Sequence, residues 1–254
     1  MARYFVCVSY KGTNYAGFQI QKNANSVQQE IEKALKIFYK TDFVLTCSSR
    51  TDAGVHALTN YFHFDSELIL EAQVLRRNIY SLNCILPLDI VIKKLFQVPD
   101  SVHSRFDAVS REYKYYIYNN KDPFLHDRAF YYPYKVDVEV LNNAADLIKR
   151  YQDFTTFSKR NTQVKSFVCD IMSSAWYHSE NQLIYQVKAN RFLRGMVKGL
   201  VGTMLKVGTG KLSLKAFEKI IQSKDCSKAD FSVPSHGLFL IDVNYKKGLI
   251  QLAN

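Results

Sequence analysis

The chain is short of acid. Its 254 residues include 23 Asp and Glu against 34 Lys and Arg, a net charge of +11. A strongly basic balance is the electrostatic footprint of a polyanion binder, although charge by itself speaks about partners and not about fold. Metal-ligand spacing is lacking too. The five cysteines (7, 47, 84, 169 and 226) are scattered, with no C-x-x-C, and none of the six histidines stands at ligand spacing. This argues against a zinc site or a disulfide framework and for buried, reduced thiols in a cytoplasmic protein. No run of about 18 apolar residues is present, so no membrane span is expected. The opening M-A-R-Y-F-V-C-V-S-Y has no apolar region followed by a small-residue cleavage site. Neither G-x-x-x-x-G-K-[ST] nor a G-x-G-x-x-G in context appears, and H-E-x-x-H and a serine elbow are missing as well. Nucleotide cofactors, zinc hydrolysis and serine hydrolysis are therefore not indicated. There is no low-complexity tract, and no Pro- or Ser-rich linker near 99–110.

What is present is the balance of a folded protein, 47% hydrophobic and 22% charged, with 17 Tyr and 17 Phe. The length suits one large domain or two fused halves. Aromatic faces can stack bases, so a basic, aromatic-rich chain tilts toward RNA or single strands. Strands are expected at Arg3–Tyr10, Phe43–Ser48, Leu58–Phe64 and Ile90–Val98, and helices from Ser26 and over Ala72–Leu82. Ser26 and Gln29 have capping-box spacing. Val27, Ile31, Ala34, Leu35 and Phe38 follow as one apolar face. The order then begins again: strand Glu112–Tyr118, helix Val138–Tyr151, a hairpin of Phe167–Tyr177 and Gln182–Ala189, helices Leu193–Val207 and Leu214–Gln222, and strand Gly237–Tyr245. Strand–helix alternation with β-hairpins predicts an α+β fold of two similar halves, 1–104 and 105–254. Their largely antiparallel sheets would join into one extended sheet with an active-site cleft between the halves.

Three stretches could carry chemistry. S-S-R-T-D-A-G-V-H-A at 48–57 places Arg50 and Asp52 beside a glycine. Taken alone it is an acidic turn, yet a polyanion binder has little reason to hold a carboxylate in the path of phosphate unless that group is used. Tyr113 lies in R-E-Y-K-Y-Y-I-Y-N, which reads as sheet packing or as a stacking platform flanked by Arg111 and Lys114. K-A-N-R-F-L-R-G-M-V-K-G-L-V-G at 188–202 puts Arg191, Arg194 and Lys198 at helical spacing. Gly195, Gly199 and Gly202 in that stretch suggest close approach of a backbone or a ligand.

Together these segments resemble the tRNA pseudouridine synthase A (TruA) family. R-T-D-A-G-V-H-A carries the most specific likeness. It is joined in order by Y-K-G-T-N-Y-A-G-F-Q-I-Q at 10–21, S-V-Q at 26–28, H-S-R-F-D-A at 103–108, R-E-Y-K-Y-Y-I-Y-N at 111–119, D-F-T-T-F at 153–157, K-A-N-R-F at 188–192 and G-L-F-L at 237–240. The likeness runs through essentially the whole chain. It implies the pseudouridine synthase fold and an isomerase that turns uridine into pseudouridine in the anticodon stem-loop of tRNA, at uridines thirty-eight to forty. No metal or other cofactor is implied, and the enzyme would be a homodimer. Asp52 would be the catalytic carboxylate, adding to the base or assisting cleavage at the sugar. Arg50 would help extrude the base and hold the RNA, and Tyr113 would stack on the target base. Lys198 stands where an arginine pairs with the aspartate, a cation that favours an ionised carboxylate in a dry site. Four positions depart from the family pattern: Lys11 for an acid, Phe18 for Trp, Ser49 for Gly, and Lys198 for Arg, which keeps the charge without the planar fork. The departures keep open a catalytically silent tRNA-binding paralogue acting as an RNA chaperone. A hydrolase releasing a free base is a third reading.

Overall fold

The computed structural model describes residues 1–67, 72–160 and 164–250. The fold is α+β and mostly antiparallel. The chain divides into two compact units, Ser110–Phe239 and a unit made from Met1–Val109 together with the chain from Leu240 onward. The first unit is thus built from both ends of the sequence. The expected boundary at 104/105 divides the chain linearly, which cannot express a C-terminal strand returning to the N-terminal unit.

The first unit contains β1 (Ala2–Tyr10), α1 (Val27–Tyr39), β2 (Thr46–Cys47), β3 (His56–Ser66), α2 (Ala72–Ile85) and β4 (Ile90–Val98). β1 lies between β3 and β4, antiparallel to both. As a central strand it is buried on both faces, with Tyr4, Phe5, Val6 and Val8 fully inside. Alternation divides the aromatic residues of β3 as expected. Phe64 stacks on Tyr4 and meets Phe43 edge-on, on the face served by Tyr39 of α1. His63 stacks on Phe5, and Tyr61 meets Tyr245, on the other. α1 starts at Ser26, whose hydroxyl accepts from Gln29 N–H, and it buries Val27, Ile31, Ala34 and Leu35. Phe38 is only half-buried.

The second unit contains β5 (Ala108–Tyr118, whose first two residues lie in the first unit), β6 (Phe130–Tyr131), α3 (Val138–Ile148), β7 (Ile171–Ser179), β8 (Gln182–Ala189), α4 (Met196–Gly208) and α5 (Leu214–Gln222). The last strand, β9 (Leu238–Tyr245), neighbours β3 in the sheet, and from Leu240 onward it belongs to the first unit. β8 lies between β5 and β7, antiparallel to both, and the short β6 pairs in parallel with β5.

β3, α2 and β5 run beyond their expected bounds, and four other elements lose three or four expected residues. The strand expected at Phe43–Ser48 shrinks to β2, because side chains of α1 take its backbone groups: Leu45 N–H donates to Glu32 and Leu45 C=O accepts from Gln28. The helix expected to reach Tyr151 ends at Ile148, and its last turn tightens into bonds from Lys149, Arg150 and Tyr151 to carbonyls three residues back. The strand expected from Phe167 begins at Ile171, since Phe167 and Cys169 bond to Phe154 and Gln152 instead. The helix expected from Leu193 begins at Met196, after Gly195 at φ +75°. Arg191 and Arg194 therefore lie before the helix and form no stripe with Lys198. Cys7, Cys47 and Cys169 are buried as expected, but Cys84 is exposed. Among the described residues no helix is long and apolar enough to cross a membrane.

Candidate active site

Asp52 sits half-buried at the tip of the loop between β2 and β3. The turn closes on itself through Val55 N–H to Asp52 C=O (3.1 Å), with Gly54 at φ +77°. Around it the loop is held by groups from elsewhere in the unit. Asn60 of β3 is fully buried and donates to Ser49 C=O (2.9 Å) and to Tyr10 Oη (3.2 Å). Tyr10 Oη in turn meets Thr51 Oγ1 at 2.8 Å. Phe18 N–H donates to Thr51 C=O, Gly54 N–H to Tyr15 C=O, and Gly12 N–H to His56 Nδ1 (3.1 Å). Nδ1 of the buried His56 accepts this bond, so its ring serves structure.

Two glycines permit this packing. A Cβ on Gly12 would stand 2.0 Å from Val55 O, and one on Gly17 (φ +108°) would stand 2.8 Å from Thr51 O. The Y-K-G-T-N-Y-A-G-F segment, which the sequence marks only by its family likeness, is thus a clamp that fixes the Asp52 loop. Tyr10, Gly12 and Asn60 hold the Asp52 loop in a way that pattern reading missed, although Tyr10 and Gly12 lie in the motif at 10–21. The departures in this region are accommodated. Phe18 is fully buried, its ring 5.9 Å from that of Tyr10, and Ser49 is buried with its carbonyl held by Asn60. Arg50, exposed, projects from the same loop.

Tyr113 and Lys198 belong to the second unit. Tyr113 lies on the buried face of β5, which it shares with Arg111 and Tyr115, while Lys114 points to the opposite face. Its ring meets Phe192 edge-on at 5.0 Å. The expected cationic flanks are otherwise engaged: Arg111 is buried and donates to Asn190 C=O (2.8 Å), and Lys114 lies over the Tyr177 ring. Asn190 is clamped by reciprocal bonds with Asp170, which positions the loop bearing Phe192.

Lys198 projects from the first turn of α4 and donates to Ser235 Oγ at 3.2 Å. The neighbouring Pro234 C=O accepts from Tyr115 Oη (2.7 Å), so one short segment holds both Lys198 and the tyrosine strand. The α4 glycines are explained by protein contacts. A Cβ on Gly202 would stand 2.3 Å from Asp230 O, and one on Gly199 would stand 2.8 Å from the Phe231 ring. Among the described residues no group of three or more His, Cys, Asp or Glu side chains is placed to hold a metal ion.

The sequence matches a family model described as tRNA pseudouridine synthase over residues 6–107 and 151–246. It is 43% identical to the tRNA pseudouridine synthase A of Parabacteroides distasonis over 252 residues, covering 99% of each chain. The protein of the same name from Azobacteroides pseudotrichonymphae is 42% identical over 99% of this chain and all of its own. That from Exiguobacterium sp. is 35% identical over 97% of this chain and 99% of its own.

Proposed function

The chain belongs to the tRNA pseudouridine synthase family and is an isomerase that converts uridine in tRNA to pseudouridine, and we propose that the carboxylate of Asp52 carries the reaction. The C1′–N1 bond breaks, the uracil turns over, and a C1′–C5 bond forms. C5 loses its proton and N1 gains one, so the product is an isomer. A carboxylate suits this chemistry because it can bond transiently to the base or the sugar carbon and then leave. The observation that carries the assignment is the immobilised Asp52 loop. Three separate parts of the first unit hold this loop, while Asp52 stays half-exposed at its tip. Fixing the reacting group in advance of the substrate lowers the entropic cost of attack.

Arg50, exposed on the same loop, holds the RNA as the target base leaves its stack. Tyr113, set against Phe192, stacks on that base, and Lys198 supplies the cation paired with the carboxylate. The substrate is the anticodon stem-loop at uridines thirty-eight to forty. We further propose that the enzyme acts in the cytoplasm as a homodimer, the assembly and location that the family resemblance implies. No observation favours the silent RNA chaperone.

The test is tritium release from tRNA carrying 5-tritiated uridine. Asp52→Asn should lower turnover by at least about 10⁴-fold, the scale on which loss of a group at the reacting atoms is felt, with tRNA affinity within a few-fold of wild type. Full turnover by this variant would remove Asp52 from the reaction.

A further inference from the structure

The H-S-R-F-D-A stretch at 103–108 forms a rigid turn on the sheet face that carries Phe5 and His63. His103 Nδ1 accepts from the backbone N–H groups of Arg105 (3.0 Å) and Phe106 (3.3 Å), and Asp107 Oδ2 accepts from His103 N–H (2.7 Å). Ser104 is fully buried. Its hydroxyl donates to Thr46 C=O (2.7 Å), its N–H donates to His63 Nδ1 (3.2 Å), and its carbonyl accepts from Tyr245 Oη (2.6 Å). Arg105 and Phe106 project outward from this turn, and Phe106 is 76% exposed. The His103 ring backs it at 4.3 Å, and the Arg105 guanidinium lies 6.0 Å from its centroid. A turn held by so many bonds that still leaves a large aromatic ring in water calls for a partner for that ring.

Beside it is a pocket of about 220 Å³, bounded in part by Arg50, Arg105, Cys47, Gln28, His103 and Phe106. None of the described residues lining it is acidic. Both guanidiniums lie close enough to Cys47 to oppose the upward effect of burial on its thiol. Two guanidinium side chains line this one cavity, and the planar guanidinium is the side chain best shaped to hold a phosphate by two bonds.

We propose that this pocket is a second nucleotide subsite, in which one RNA phosphodiester sits between Arg50 and Arg105 and an unpaired base flanking the target uridine stacks on Phe106. It rests on the reading of RNA as the substrate and adds where a nucleotide other than the target is held. Phe106 supplies the stacking face, backed by His103. Arg105 supplies a phosphate contact that does not depend on base identity.

The test measures binding of unmodified tRNA as a function of salt, apart from turnover. Arg105→Gln should weaken binding and reduce the slope of log K against log salt by about 0.7–0.9, the value of one phosphate contact. Phe106→Ala should weaken binding about 5- to 150-fold, the range for loss of one base stack, with the slope unchanged. Phe106→Trp should restore affinity, and a single-stranded oligoribonucleotide should quench its emission. The native Trp176 contributes a constant background because it is buried, 2% exposed. Wild-type affinity and slope in both Arg105→Gln and Phe106→Ala, or restoration of affinity by Phe106→Leu as fully as by Phe106→Trp, would overturn the subsite. Failure of wild type to release tritium would instead overturn the catalytic reading, and the binding measurements would still decide the subsite.

Discussion

Replacing Gly12 with alanine tests whether the N-terminal clamp sets the position of Asp52. The new Cβ would be built 2.0 Å from Val55 O and 2.7 Å from Val55 C, whereas real Cβ atoms essentially never come closer than 3.0 Å to a neighbour. The two backbones must therefore separate by roughly 1 Å. Val55 N–H is bonded to Asp52 C=O, so the turn moves as a unit and takes the carboxylate with it. The Gly12–His56 hydrogen bond stretches in the same motion. A misplacement of about 1 Å at a reacting group costs about 10²-fold in rate, and forced overpacking costs about 1–3 kcal/mol of stability. For a chain of this size that is a fall of several degrees in Tm. Single-turnover tritium release should thus drop about 100-fold in Gly12→Ala, with tRNA affinity within a few-fold of wild type, because Arg50 on the same loop is shifted but no RNA-contacting side chain is removed. A folded Gly12→Ala protein with turnover within a few-fold of wild type would refute the claim that this contact positions the carboxylate.

Two other outcomes follow from the geometry. Burial and the neighbouring Arg3 and His103 push the His63 imidazole down from 6.5 to about 4, with Asp65 acting weakly the other way. The unfolded chain thus binds a proton that the folded one refuses, so His63 contributes fully above pH 6.5 and its contribution is lost as pH falls from 6.5 to about 4. The loss is about 3 kcal/mol in order of magnitude. Urea melts from pH 7.5 to 4.5 should show it, and His63→Asn, which keeps an acceptor for Ser104 N–H, should flatten the dependence; an unchanged slope in His63→Asn would assign it to other groups. At Lys198, if charge is what matters, Lys198→Arg should keep turnover within about 10-fold while Lys198→Met loses at least about 10²-fold, in line with removal of one electrostatic stabiliser. Equal activity of the two in tritium release would remove Lys198 from the site.

The sequence by itself determined the elements whose signal is local. Ser26 caps α1 because a hydroxyl at that spacing can reach only the N–H groups of the first turn. β4 and α5 fall on their expected residues because period-two and period-3.6 patterns report which side of an element is wet. Within R-T-D-A-G-V-H-A, Asp52 reads locally as an acidic turn, and only the resemblance of the whole motif to its family gives the carboxylate a role.

The tertiary structure decided whatever depends on groups distant in sequence. Asn60, Tyr10 and Gly12 clamp the Asp52 loop through hydrogen bonds spanning 11 to 50 residues, and a buried amide in a strand leaves no periodic trace. The helix expected from Leu193 was interrupted by a positive φ at Gly195, which a hydrophobic stripe cannot reveal. The strand expected at Phe43–Ser48 lost its backbone groups to Gln28 and Glu32 across the helix it packs beside. The last strand joined the first unit because a sheet edge accepts a strand by hydrogen bonding, whatever its position in the chain. Motif likeness thus marks the candidate carboxylate, while packing from distant residues gives its loop a fixed place.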